Sequence, residues 1–116
     1  MSINRIEPGP RMSKAVQYGN TVYLAGQVAD DPNLDMAGQT RQVLSTIDAL
    51  LEKAGSSKSS LLSATIYVTD MRNFQAMNEV WDAWVDPANT PARATVEAGL
   101  ARYGLQVEIM VIAAVQ

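Results

Sequence analysis

The chain predicts an α+β fold, a mixed sheet with two helices packed on one face, and three observations carry that expectation. Short runs of alternating apolar and polar residues surround two longer segments whose apolar residues recur at helical spacing. Their order is hairpin, helix, strand, helix, strand, strand, which suits a two-layer sandwich. The last strand-like run is apolar on both sides, so both sheet faces should be covered. With 116 residues, 47% of them apolar, the whole chain 1–116 is expected to form a single domain around one core.

The first element is a hairpin. In "SKAVQYGNTVYLAGQV" the runs Ser13–Tyr18 and Thr21–Gln27 flank Gly19-Asn20, a two-residue turn of the primed kind. The preceding "MSINRIEPGPR" is left without an element. "DDPNLD" is a loop. From Met36 to Ala54, residues Met36, Val43, Ile47, Leu50, Leu51 and Ala54 share one helical face, and Gly55 follows as the C′ residue. "SSKSS" reads as a solvated loop.

"LLSATIYVTD" is rich in β-branched and aromatic residues and reads as a strand ending near Asp70, which is placed to cap the next helix. In that helix Met71, Phe74, Met77, Trp81, Trp84 and Val85 form one broad stripe, and the prolines of "DPANTP" end it. In "TPARATVEAGL" the residues Ala92, Ala94, Val96 and Ala98 share one strand face, and Arg93, Thr95 and Glu97 the other. A turn at residues 102–104 leads to the last strand, "LQVEIMVIAAV". There Val107, Ile109, Val111, Ala113 and Val115 fill one face and Glu108, Met110, Ile112 and Ala114 the other.

Two helices cover only one face of such a sheet. The second face, apolar apart from Glu108 and Gln106, is therefore expected to be buried between copies of the chain. With Ala92 and Val96 taken as helix-facing, Arg93, Thr95 and Glu97 are expected at that interface. An arginine there needs an anion, because an unpaired buried charge costs several kcal/mol.

Composition removes several function classes. The chain has no cysteine and no histidine, which excludes thiolate nucleophiles, Cys-based zinc sites and histidine-based triads. Nine basic residues stand against twelve acidic ones, without a basic run, so no footprint for nucleic acid is present. No stretch suits a bilayer span or a signal peptide, and a cytoplasmic protein is expected. Chemistry is left to Arg, Glu, Asp, Lys, Tyr, hydroxyls and backbone amides.

"PARATVEAGL" followed by "VEIMVIAA" resembles the C-terminal signature of the RidA/YjgF family of enamine/imine deaminases. Glu108 lies fifteen residues after Arg93, the separation of that family's arginine and active-site glutamate. "YGNTVYLAGQV" is similar to the family's hairpin, and "NFQAMNEVWDAWV" to its second helix. The Trp-rich helix is closer to small bacterial paralogues than to the housekeeping member. The resemblance implies a chorismate-mutase-like fold, a homotrimer with sheets packed at its centre, and sites in clefts between subunits. It also implies hydrolysis of 2-aminoacrylate and related enamines or imines to 2-keto acids and ammonia, without metal or organic cofactor.

Carried across, Arg93 clamps the substrate carboxylate, a role suited to a guanidinium's two parallel donors, and Glu108 positions the attacking water. Gly26 and Thr95 complete the substrate site through their backbone, Asn78 lines it from the second helix, and Met12 stands where the family has a pocket tyrosine. Ala25 and Ala94 replace small hydroxyl residues, which makes the pocket less polar.

From the strand alone, Arg93 reads as half of a structural ion pair, with Glu97 or a neighbouring subunit's carboxylate. Asn78 equally fits a buried amide that satisfies backbone groups. The alternative function is a binding or regulatory module that holds a small carboxylate in the same cleft without turning it over.

Overall fold

The structure, a computed structural model, describes residues 1–115. Strands β1 (Ile3–Pro8), β2 (Ser13–Tyr18), β3 (Thr21–Leu24), β4 (Gln27–Val28), β5 (Leu61–Val68), β6 (Ala92–Glu97) and β7 (Val107–Ala114) form one sheet. Its order is β1-β2-β3-β7-β5-β6, with β4 also on β7. Every pairing is antiparallel except β5 with β6. Helices α1 (Met36–Lys53) and α2 (Phe74–Trp84) pack on the same face and against each other. The expected mixed sheet with two helices on one face is the observed one.

Local chemistry accounts for the boundaries. Tyr18 pairs with Thr21 across the hairpin, and Gly19 has φ 62° while Asn20 does not take a positive φ, the pattern of a type II′ turn. The Asp35 carboxylate accepts from the Gly38 N–H and starts α1. At its other end Gly55 has φ 79°, its N–H donates to the Glu52 carbonyl, and Ser56 N–H reaches the Leu51 carbonyl, a Schellman closure.

The core lies between the helices and the sheet. Val43, Ile47 and Leu51 of α1 and Met77 and Trp81 of α2 meet Ile66 and Val68 of β5 and Val107, Ile109, Val111 and Ala113 of β7. On the opposite face Tyr23, Val96 and Met110 are exposed, so the structure leaves that face open.

Five expectations change. Residues 1–11 hold the edge strand β1, whose Ile6 is buried opposite Ala15. The second hairpin strand breaks at Ala25-Gly26 into β3 and β4. Lys58–Ser60 forms a 3-10 turn, and Asp70 caps a second one, Met71–Asn73, rather than α2 itself.

The fifth change concerns β6, whose faces are the reverse of the expectation. Its parallel register sets Arg93, Thr95 and Glu97 beside Ala64, Ile66 and Val68, all three buried on the helix side. Ala92, Ala94 and Val96 lie on the open face. A period of two cannot say which set faces inward; pairing with β5 decides it.

Candidate active site

The predicted residues gather into two clusters on opposite faces of the sheet. The first lies under α2. The crossover from β5 through α2 into the parallel strand β6 lays that helix over β6. The Arg93 guanidinium stands 5.4 Å from the ring centroid of Trp81 and 6.0 Å from that of Phe74. The rings hold the cation by their π faces, worth about 0.5–2 kcal/mol. Glu97 is not its partner: that carboxylate accepts from the Met71 N–H at 2.8 Å. Among the described residues, Arg93 makes no ion pair.

Asn78 sits on α2 between Phe74 and Trp81, and Thr95 follows Arg93 on the same strand face. The Asn78 Oδ1 and Thr95 Oγ1 atoms are buried without a hydrogen-bond partner among the described residues. Asn78 is therefore not satisfying backbone groups through that oxygen. Each such atom costs about 1–3 kcal/mol, an expense that a bound polar ligand would relieve. The segment leading into β6 is anchored through Asp86, which accepts from Ser59 Oγ, Asn89 Nδ2 and the Ala88 N–H. Those donors, the Asn89 amide foremost, hold its carboxyl below the usual 3.8.

The second cluster is on the open face. Glu108 is half-buried on β7, between Val28 of β4 and Tyr67 of β5. Its Oε2 occupies the space that a Cβ on Gly26 would fill, so only glycine allows the carboxylate this position. Tyr67, Ala98, Gly99, Leu100, Ala101, Glu108 and Met110 line a cavity of about 540 Å³. Met12 is exposed at the end of the β1–β2 connection. The register that sets Lys14 against Ala25 brings it to the sheet end where Gly26 lies.

Arg93, Asn78 and Thr95 thus come together, as do Glu108 and Gly26. Arg93 and Glu108 do not meet in one protomer: β5 lies between their strands and they face opposite ways. A separate groove between the helices, about 460 Å³ and including Arg41, Asp48, Lys58 and Trp84, contains none of the predicted residues. Sequence reasoning placed Phe74 and Trp81 in the core stripe and missed their contact with Arg93. Their spacing around Asn78 was the available signal. Tyr67, opposite Glu108, was missed as well.

The fold superposes on NMB1025, a member of the YjgF protein family from Neisseria meningitidis, with a TM-score of 0.97 at 43% identity, covering 100% of this chain and 97% of that one. A family model described as Endoribonuclease L-PSP matches residues 2–115. The chain belongs to the RidA/YjgF family. Among its relatives, the RutC family protein YoaB of Escherichia coli (strain K12) is 47% identical over 115 residues, 99% of this chain and 100% of that protein. Rv2704 of Mycobacterium tuberculosis, a member of the YjgF/YER057c/UK114 family, superposes with a TM-score of 0.87 at 30% identity, covering 98% and 100%. No cluster of three or more His, Cys, Asp or Glu suited to an ion occurs among the described residues. No described helix is long and apolar enough to cross a membrane.

Proposed function

We propose that the protein is a homotrimeric enamine/imine deaminase whose sites form between subunits. The observation that carries this reading is the division of the site. Each protomer offers an arginine without a counter-ion among the described residues on one sheet face and a carboxylate-lined cavity on the other. Neighbouring copies that bury the open face bring one protomer's Arg93 to the next protomer's Glu108.

In that cleft Arg93 grips the substrate carboxylate through two parallel N–H donors. Its rings fix the guanidinium plane before the substrate arrives. The Thr95 and Gly26 backbones and the Asn78 amide complete the polar wall, and Met12 closes the end with an apolar side chain. Glu108 takes a proton from water as the water oxygen bonds to the imine carbon. It then returns that proton to the nitrogen, which completes a carbinolamine. The carbinolamine hydroxyl gives up its own proton through Glu108 to the nitrogen as the C–N bond breaks, so ammonia leaves and a 2-keto acid remains. 2-Aminoacrylate enters this sequence as its imine tautomer.

A second reading rests on Met12, Ala25 and Ala94, which leave the pocket short of hydroxyls: the same cleft then binds a small carboxylate without turning it over. Generating 2-aminoacrylate from serine with a pyridoxal-phosphate dehydratase, with semicarbazide as trap, separates the two. The deaminase diverts the imine to pyruvate, and Arg93→Ala and Arg93→Lys lose that diversion by at least about 100-fold while remaining assembled. An Arg93→Ala protein with full activity removes Arg93 from the mechanism. A wild type that diverts nothing, yet gains thermal stability from a 2-keto acid, establishes the binding module instead.

A further inference from the structure

The antiparallel register of β5 with β7 sets Tyr67 directly opposite Glu108, so both side chains rise from the same face. Cβ atoms of such a pair stand about 4.5–5.5 Å apart. Both residues line the cavity of about 540 Å³, whose other walls are Ala98, Gly99, Leu100, Ala101 and Met110. Its hydrogen-bonding side chains are therefore one phenol and one carboxylate. No hydrogen bond joins them, because the Glu108 carboxylate leans over Gly26, on the β4 side and away from β5. The gap between them has an acceptor-only group on one wall and a group that donates or accepts on the other.

We infer that Tyr67 is a positioning residue, which holds the water used by Glu108. The water donates one hydrogen to the Glu108 carboxylate and accepts the Tyr67 O–H at one lone pair. Its second lone pair is left pointing along a single direction into the cavity. During hydrolysis the water oxygen bonds to the imine carbon, and its proton moves to Glu108 and on to the nitrogen. Tyr67 keeps its proton throughout. The inference rests on the deaminase reading only for its kinetic consequence; the phenol–water–carboxylate arrangement stands on register and cavity.

Few other titratable groups bear on Glu108. The open face carries Arg5 on β1, Lys14 and Tyr18 on β2, and Tyr23 on β3. β4, the 98–101 segment and the open side of β6 carry none, and Arg102 is turned away to the Ala29 carbonyl. The test is a crystal structure of the assembled protein and of two variants. A water within hydrogen-bond distance of both the Tyr67 hydroxyl and the Glu108 carboxylate is expected in the wild type and in Tyr23→Phe, and is lost from Tyr67→Phe. Turnover of the imine by Tyr67→Phe falls about 10–100-fold in kcat with KM unchanged, since the Arg93 clamp is untouched. A wild type without that water, or a Tyr67→Phe protein that keeps it in place, overturns the inference. A wild type without imine turnover overturns the deaminase reading instead, and the water still decides Tyr67.

Discussion

Gly26 and Glu108 give the sharpest test at the scale of single residues. A methyl at position 26 meets the end of the Glu108 side chain rather than backbone, so the carboxylate can swing away at little energetic cost. Gly26→Ala is therefore expected to fold with a Tm within a few degrees of wild type, roughly, while imine turnover falls about 10–100-fold from the displaced base. Thermal melts and steady-state rates on one preparation check both halves. A large loss of stability would mean that the glycine serves the backbone instead. Arg93 shows how far the residue scale is legible in sequence. From the strand alone it reads as half of an ion pair, and neither the lack of such a pair among the described residues nor its support by Phe74 and Trp81 was readable from "PARATV". Those contacts depend on which face of β6 turns toward α2, and alternation alone carries no sign.

Among the elements, the connections are held by single polar hubs. Gln39 is fully buried on α1; its amide donates to the Leu34 and Gly104 carbonyls, and its Oε1 accepts from the Gln106 N–H. It thus ties α1 to the turn that launches β7. Gln39→Leu leaves these groups without partners and is expected to cost about 2–4 kcal/mol in urea unfolding. Asp86 does the same for the approach to β6, at the surface. Its folded pKa lies below the ordinary 3.8, so its contribution is complete above that value and fades as pH falls through the folded one. The stability difference between wild type and Asp86→Ala should hold constant from neutral pH to about pH 4 and shrink below it. Both helices and the last strand were legible because their apolar periods extend over many residues. β1 was not: its one buried residue, Ile6, leaves no alternation to read. The β3–β4 break escaped for a different reason, since Gly26 yields to a carboxylate 82 positions further along the chain.

For the molecule as a whole, the sheet's two unlike faces matter most. One is packed under helices; the other leaves Tyr23, Val96 and Met110 in solvent, a surface suited to a second copy. That the second face is largely apolar was readable from the two-sided pattern of β7. The placement of Arg93 on the helix side was not, and it makes a site shared between copies a geometric requirement of the proposed chemistry. A genetic consequence follows. Two inactive proteins, one carrying Arg93→Ala and the other Glu108→Gln, lack different halves of the same site. Unfolded together in equal amounts and refolded, they assemble at random. About a quarter of the clefts then combine an intact arginine with an intact glutamate, if each cleft draws the two from adjacent subunits. Activity near that fraction of wild type, arising from two dead parents, is the expected result. A mixture as inactive as its parents would place both residues' work within one protomer.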